Sequence, residues 1–222
     1  MDGKKLAGEK AVQYVKDGMI VGLGTGSTVF WTIKKLGELV NNGLNIRCVA
    51  TSKNTEILAK EVGIPLITIS EVNELDLTID GADEVNHKFE LIKGGGGALL
   101  REKMVASISR RLIIVVDESK RVHSLGKFPL PVEVVPFGFE VTSKQLRSLD
   151  CIPILRTEQN IPFLTDNGNY ILDCHFSIIQ EPVDLNRKLN MIPGVVENGL
   201  FINIAETVIL GHKDGSIDIL TK

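Results

Sequence analysis

Short apolar runs alternate with amphipathic helical patterns along the first half of this 222-residue chain. The apolar runs, which predict strands, lie at residues 19–23, 46–50, 65–69, 75–79 and 112–116. The helical patterns between them lie at residues 7–15, 29–40, 55–62 and 98–109. Strands that are apolar throughout are typical of parallel sheets buried on both faces. The alternation therefore predicts an α/β fold with a Rossmann-like parallel sheet covered by helices.

The pattern changes after Lys127. The next four residues, FPLP, contain two prolines, which resist both helix and central strand and so predict a domain edge. The following elements are a strand at 132–135, a helix at 141–149, a hairpin around Asn167-Gly168, a helix at 182–190 and a strand at 195–201. This β-α-β-β-α-β order predicts a smaller ferredoxin-like α+β domain.

The two predicted domains have definite ranges. The Rossmann-like catalytic domain is predicted to comprise residues 1–127 and 203–222, because the C-terminal hairpin is expected to return to the first sheet. The ferredoxin-like domain is predicted to comprise residues 128–202.

The net charge, the length of the apolar runs and the cysteine count restrict the partners that such a chain can have. A formal net charge of −3 gives no general attraction to nucleic acid or to anionic membranes. The longest aliphatic run, residues 112–116, is far shorter than the about 20 residues that span a bilayer. Three cysteines without a CxxC pair fit a reduced, cytoplasmic protein. An anionic ligand would therefore need a local positive site.

The segment GLGTGST, residues 22–28, follows a predicted strand and opens a helix. Backbone N–H groups at a helix N-terminus attract phosphate, and Thr25, Ser27 and Thr28 add hydroxyl donors. The segment is a poor dinucleotide fingerprint, because Ser27 stands where the third glycine is required, and no lysine follows as in a Walker A loop. The alternative interpretation is a plain strand–helix turn with a hydroxyl N-cap.

The segment DGADE begins at Asp80, directly after another predicted strand. Asp80 and Asp83 could hydrogen-bond sugar hydroxyls or move protons between them. The alternative is an Asp-Gly turn whose side chains cap the backbone.

The segment KGGGGALLREK begins at Lys93. Four successive glycines are costly in backbone entropy, which suggests close approach to a ligand or positive φ angles. Lys93 offers a positive charge. Glu102 lies one turn into the following helix, off the apolar stripe that Leu100, Met104 and Ile108 are predicted to form. The alternative for Glu102 is therefore an exposed helix glutamate.

A fourth segment, DESK, follows the strand that ends at Val116, and its Lys120 could reach a phosphate. The alternative is a solvated loop lysine. All four segments follow predicted strands, and ligands bind at the carboxyl ends of strands in open α/β sheets. The segments are therefore predicted to converge on one edge of the sheet and to bind a small anionic, hydroxyl-rich ligand.

These motifs resemble one known family. GLGTGST, DGADE, KGGGGALLREK, GKFPLPVEV, TDNGN and IPGVV run in order, from about Lys4 to the C-terminus, as in the ribose-5-phosphate isomerase A family. The resemblance implies an aldose–ketose isomerase that interconverts D-ribose 5-phosphate and D-ribulose 5-phosphate in the non-oxidative pentose phosphate pathway. It also implies that the enzyme uses neither a metal nor a nucleotide cofactor, and that it is a homodimer or homotetramer.

The resemblance also implies residue roles. Glu102 matches the general base that moves a proton between C1 and C2 through a cis-enediolate. Asp80, Asp83 and Lys93 match residues that contact the sugar and assist ring opening and oxyanion stabilisation. The implied substrate-binding residues are Lys4, Thr25, Gly26, Ser27, Thr28, Asp80, Gly81, Ala82, Asp83, Lys93, Gly94, Gly95, Gly96 and Lys120.

Three other functions remain open at this stage. A non-catalytic sugar-phosphate-binding sensor would need the anion-binding loops but not Glu102. Ser27 argues against a nucleotide-dependent oxidoreductase, and the four glycines argue against a protein-interaction module. The four histidines form no HxH or HExxH pair, so no catalytic metal is predicted.

Overall fold

The computed structural model describes residues 2–222. The α-helices are α1 (Gly3–Ala11), α2 (Val29–Asn41), α3 (Lys53–Glu61), α4 (Leu99–Ser107), α5 (Phe139–Arg147) and α6 (Pro182–Asn190). The strands are β1 (Ile20–Leu23), β2 (Arg47–Ala50), β3 (Leu77–Asp80), β4 (Glu84–Val85), β5 (Leu91–Ile92), β6 (Leu112–Asp117), β7 (Leu130–Val134), β8 (Ile152–Leu155), β9 (Thr157–Glu158), β10 (Ile161–Pro162), β11 (Tyr170–His175), β12 (Val195–Asn198), β13 (Leu200–Phe201), β14 (Thr207–Gly211) and β15 (Ile217–Thr221). Every helix in this range is too short or too polar to cross a membrane.

The chain divides into two compact units. The first contains the residues up to Ala82, Arg101–Arg121 and Ile204–Lys222. Its six-stranded sheet has the order β15-β14-β6-β3-β1-β2, and all pairs are parallel except β14 with β15. The predicted parallel α/β sheet is thus confirmed.

Helices cover both faces of this sheet. Neighbouring residues in a strand point to opposite faces, and two neighbours in β2 belong to different cores. Cys48 of β2 belongs to the core formed with α1, α2 and α3, where Ile33 and Leu36 of α2 are buried. The next residue, Val49, belongs to the opposite core, with Val105 of α4. Burial of each large aliphatic side chain contributes roughly 1.5–3 kcal/mol.

The strand predicted at residues 65–69 is not formed. Leu66 makes only an isolated bridge to Cys48 of β2, and a 3-10 helix, Ile69–Glu71, follows. A capping box causes this early end: the Thr68 backbone N–H donates to the Glu71 carboxylate at 2.7 Å, which starts the helical turn.

The second unit contains Asp83–Leu100 and Val122–Asn203. Its four-stranded sheet has the order β12-β7-β11-β8 and is antiparallel throughout. Leu146 of α5 and Leu189 of α6 are buried in one core with Val132 and Leu172 of the sheet. The chain order β7-α5-β8-β11-α6-β12 is the predicted β-α-β-β-α-β arrangement, so the ferredoxin-like class is confirmed.

The compact units place Asn203 in the second unit, and they differ from the predicted domain ranges in two longer segments, Asp83–Leu100 and residues 122–127. Both are tied to the second unit by hydrogen bonds and strand pairing. Ile92 of β5 pairs with Leu200 of β13, and the Val122 N–H donates to the Val85 carbonyl. These pairings join residues far apart in sequence, so local patterns cannot reveal them.

Candidate active site

Asp80 organises the turn that follows β1. The carboxylate oxygen Oδ1 of Asp80 accepts hydrogen bonds from the backbone N–H groups of Thr25, at 3.1 Å, and of Gly81, at 2.8 Å. Asp80 is fully buried, and a Cβ atom at Gly24 would lie 2.0 Å from Oδ1. The backbone-capping alternative is therefore correct for this oxygen, and it fixes a carboxylate at the end of β3.

The Thr25 hydroxyl lies in a cluster of hydroxyl groups. Its Oγ1 is 2.8 Å from Thr51 Oγ1, 2.9 Å from Ser52 Oγ and 3.2 Å from Thr55 Oγ1. Thr55 in turn donates to the Gly24 carbonyl at 2.8 Å. The sequence prediction missed these three partners, although a run of hydroxyl residues directly after β2 is a visible signal.

Two lysines lie close to the start of α2 and the end of β6. Lys4 Nζ donates to Ser27 Oγ at 3.0 Å, next to Thr28, the N-cap of α2. Partial burial alone would raise the pKa of Asp117, but hydrogen bonds from Ser119 and the charges of Lys4 and Lys120 lower it. Lys4 and Lys120 thus act on one carboxylate. Lys4 also lies at the N-terminus of α2, where backbone N–H groups attract anions.

Asp83 holds the glycine turn, residues 94–97. The Gly95 N–H donates to Asp83 Oδ2 at 2.8 Å, and a Cβ atom at Gly95 would lie 2.5 Å from Oδ1. Gly94 and Gly97 have φ angles of +101° and +77°, which side-chain-bearing residues rarely adopt. The turn closes through the Gly97 N–H, which donates to the Gly94 carbonyl at 3.0 Å. Turn geometry thus accounts for three of the four glycines.

Lys93 is a buried lysine, with only 2% of its surface exposed. Its ammonium lies 5.3 Å from the centre of the Phe201 ring, and its backbone N–H donates to the Gly199 carbonyl at 2.9 Å. A buried ammonium is costly unless nearby groups compensate its charge, and the face of an aromatic ring is one such group. Burial of an ionisable side chain at a cost in free energy is typical of functional sites.

Glu102 is buried on the inner face of α4, where it is only 3% exposed. The buried residues of this helix include Glu102, Val105 and Ala106, whereas Met104 is 48% exposed. The stripe predicted through Leu100, Met104 and Ile108 is therefore wrong, and so is the alternative of an exposed glutamate. The reason is that α4 buries the Glu102 carboxylate, whereas a hydropathy pattern assigns a charged residue to the exposed face of a helix.

The first unit brings several predicted segments together. β1, β3 and β6 are adjacent and parallel, so their carboxyl ends, at Leu23, Asp80 and Asp117, lie at the same edge of the sheet. The predicted site residues of this unit are Lys4, Thr25, Gly26, Ser27, Thr28, Asp80, Gly81, Ala82, Glu102 and Lys120. Those of the second unit are Asp83, Lys93, Gly94, Gly95 and Gly96. Convergence of both groups on one ligand stays a prediction.

Comparison with known proteins decides the family. The model of the family described as ribose 5-phosphate isomerase A (phosphoriboisomerase A) matches residues 47–215. The chain belongs to this family. The resemblance inferred from the motifs is thereby confirmed, as is the prediction of an enzyme of the isomerase class.

Relatives within the ribose-5-phosphate isomerase A family match over nearly full length. The protein of Bacillus mycoides (strain KBAB4) is 57% identical, with 97% of this chain and 98% of the relative covered. A solved structure of D-ribose-5-phosphate isomerase in complex with phospho-erythronic acid is 40% identical, with a TM-score of 0.96 and 100% of both chains covered. Ribose 5-phosphate isomerase from Plasmodium falciparum has the same identity and TM-score, covering 99% of this chain and 97% of that one.

Arg156 is a further residue at the glycine turn of this chain, and no motif indicated it. Its Nη1 donates to the Gly94 carbonyl at 2.9 Å and to the Gly95 carbonyl at 3.1 Å. Its Nε and Nη2 bind the Asp173 carboxylate. The contact spans 62 residues of sequence, and a lone arginine in a strand-rich segment gives no signal of it.

Glu84, the last residue of the DGADE motif, has a structural role in this family member. Its Oε1 accepts from the Phe128 N–H at 2.6 Å and its Oε2 from the Gly126 N–H at 2.8 Å. Glu84 is only 3% exposed. Both carboxylate oxygens therefore fix the segment that leads into β7.

The histidines lie outside any metal cluster. Among residues 2–222, no three His, Cys, Asp or Glu side chains are grouped so that they could hold a metal ion. His212 lies between two carboxylates, with Nδ1 3.0 Å from Glu118 Oε2 and Nε2 3.1 Å from Asp218 Oδ2. Hydrogen bonds to Glu118 and Asp218 raise the pKa of His212 above its usual value.

Proposed function

We propose that this chain interconverts D-ribose 5-phosphate and D-ribulose 5-phosphate, with Glu102 as the general base. The observation that carries the proposal is the buried carboxylate of Glu102, in the same unit as Lys4 and Lys120, whose charges both act on Asp117. Membership of the ribose-5-phosphate isomerase A family supports the choice of substrate, since the names of the relatives state this isomerase activity. The non-oxidative pentose phosphate pathway is the corresponding place in metabolism.

The proposed reaction moves one carbon-bound proton. Ionised Glu102 removes the proton from C2 of the open-chain aldose. The electrons of the C2–H bond form the C1–C2 double bond of a cis-enediolate, while the π electrons of the C1 carbonyl move onto O1. The O2 proton is transferred to O1, C2 becomes the carbonyl carbon, and protonated Glu102 returns its proton to C1. Positioned acid–base catalysis of this kind contributes about 10²- to 10⁴-fold.

The developing negative charge on the enediolate oxygen requires a preorganised donor. We assign this role to Lys93, because an ammonium in a buried, low-dielectric position interacts with charge far more strongly than one in water. Asp80 and Asp83 are proposed to hydrogen-bond the sugar hydroxyls and to assist ring opening. Their backbone hydrogen bonds from Thr25, Gly81 and Gly95 support this assignment, because they fix the carboxylates in place.

The phosphate of the substrate is proposed to bind at the N-terminus of α2. Lys4, Ser27 and Thr28 lie at this helix start, where backbone N–H groups attract anions. Gly26, with a φ angle of +127°, lies in the turn that opens it. Lys120 adds a second positive charge, as its effect on Asp117 indicates.

The test is a direct assay of purified protein. We expect ribulose 5-phosphate to form from ribose 5-phosphate in the presence of EDTA. Glu102→Gln should bind substrate but turn it over at least 10²-fold more slowly. Glu140→Gln is the matched control, because Glu140 also lies in the first turn of a helix but is exposed. Binding without turnover by the unaltered chain would favour the sensor function instead.

We also propose a cytoplasmic homodimer or homotetramer. The three cysteines, Cys48, Cys151 and Cys174, are free and buried, which is consistent with a reducing compartment. Light scattering coupled to size-exclusion chromatography would give the number of subunits, and a monomeric mass would contradict the proposal.

A further inference from the structure

We propose that Arg156 is a positioning residue for the reaction, and that it sets the direction of two peptide groups in the glycine turn. The inference rests on the proposed function and adds a residue to it. Arg156 does not act on the reacting atoms in this scheme. It acts through the backbone of Gly94, Gly95 and Gly96.

The contacts of Arg156 use three of its nitrogen atoms. Nη1 donates to two successive carbonyl groups, at 2.9 Å to Gly94 and at 3.1 Å to Gly95. On its other edge, Nε donates to Asp173 Oδ2 at 2.9 Å, and Nη2 donates to Asp173 Oδ1. The arginine side chain is 14% exposed and that of Asp173 is 20% exposed. Asp173 therefore holds the guanidinium in one orientation, and the guanidinium holds the turn.

The direction of the N–H groups follows from peptide geometry. In a trans peptide the C=O and N–H bonds point in opposite directions, and residues 2–222 contain no cis peptide bond. Because the Gly94 carbonyl points to Arg156, the N–H of Gly95 points away from it, toward Asp83 Oδ2 at 2.8 Å. Because the Gly95 carbonyl also points to Arg156, the Gly96 N–H points away from it as well.

Two functional groups are oriented by this arrangement. The first is the Asp83 carboxylate, which is held through its bond from the Gly95 N–H. The second is the N–H of Gly96, an exposed residue of the turn for which the family resemblance implies substrate binding. Donors fixed before the reaction stabilise developing charge most, because they need no reorganisation during it.

Only arginine has the shape for this task. Its planar fork of five N–H donors can bind a carboxylate on one edge and carbonyl oxygens on the other. Phe163 supports the same plane: its ring centre is 5.7 Å from the guanidinium carbon, and its ring atoms lie 2.5 Å from where a Cβ atom of Gly97 would be. A lysine at position 156 would keep the charge but could not make these contacts together.

The experiment compares Arg156→Met, Arg156→Lys and Arg156→Ala with the control Arg147→Met, an exposed arginine of α5 in the same unit. We expect Arg156→Met to lower kcat about 10- to 100-fold. This decrease is no larger than the decrease in kcat that follows removal of one oxyanion donor. Arg156→Lys should lose nearly as much. Millimolar guanidinium should restore part of the activity of Arg156→Ala, while Arg147→Met should match the unaltered enzyme.

A second measurement is independent of turnover. Amide hydrogen exchange at Gly95 should become faster in Arg156→Lys, because the N–H that binds Asp83 is no longer fixed. If the unaltered chain does not isomerise ribose 5-phosphate, the proposed function fails, but this exchange result still tests the role of Arg156 in the turn.

Two outcomes would overturn the inference. One is an unchanged kcat in folded Arg156→Met or Arg156→Lys together with unchanged exchange at Gly95. The other is a loss of activity that follows a lowered unfolding temperature and that guanidinium does not restore in Arg156→Ala, since this pattern indicates a purely structural role.

Discussion

Gly24 and Asp80 are packed so closely that a Cβ atom at position 24 would lie 2.0 Å from the Asp80 carboxylate oxygen Oδ1. The same oxygen accepts the N–H bonds of Thr25 and Gly81. The glycine is therefore required by the protein itself, and it allows β1 and its turn to approach the carboxylate at the end of β3.

Gly24→Ala should destabilise the fold and abolish most activity, because the added methyl group must displace buried Asp80. Overpacking of this kind costs typically about 1–3 kcal/mol in the free energy of unfolding, which urea denaturation measures. Gly81→Ala is the matched control, since the nearest atom to its added Cβ would be 3.7 Å away. Equal stability of the two variants would show that Asp80 can move without cost.

Lys4→Ala and Lys120→Ala should each raise KM about 10-fold or more with little change in kcat. Hydrogen bonds from charged groups contribute about 1.5–3 kcal/mol, and contacts to the phosphate are the same in the ground and transition states. Steady-state kinetics with ribose 5-phosphate measures this. Lys34→Ala, an exposed lysine of α2, is the control. A fall in kcat at constant KM would assign these lysines to the chemical step instead.

The pairing of His212 with Glu118 and Asp218 should make its stabilising effect depend on pH. Because the folded pKa is raised, the contribution is fully present below the unfolded pKa of about 6.5 and is lost as pH rises through the folded pKa. His212→Gln should therefore lower the unfolding temperature more at pH 5.5 than at pH 8.5. His175→Gln, on the exposed end of β11, serves as the control. An equal loss at both pH values would show that the ion pairs do not form.

Local patterns predicted the sheets of this protein well, because apolar runs and helical periodicity are properties of adjacent residues. Apart from the strand predicted at residues 65–69, which a local capping box ends, they failed where a distant group decides the outcome. The burial of Glu102 depends on what covers the inner face of α4, so the hydropathy of Leu100, Met104 and Ile108 pointed to the wrong face.

The proposed site residues likewise divide into those that a local pattern indicated and those that only a distant contact identifies. The glycines, the aspartates, Lys93 and Lys120 were predicted because they follow strands, and strand ends are visible in the sequence, whereas Lys4 was predicted from the family resemblance alone. Arg156 was not found, because its partners Gly94 and Gly95 lie 62 and 61 residues away. The hydroxyl cluster around Thr25 was visible as a run of Thr and Ser, but only the structure shows that it faces the first turn.

The bonds from Gly126 and Phe128 to Glu84 have a practical consequence for mutagenesis of the DGADE motif. In a library that randomises this motif in search of altered specificity, substitutions at its last position should impair folding and leave specificity unchanged. Glu84 anchors a peptide more than 40 residues downstream, so clones changed there should be recovered as insoluble or protease-sensitive material. Diversity is better confined to positions 81 and 82, because the two aspartates also hold backbone turns through their carboxylates.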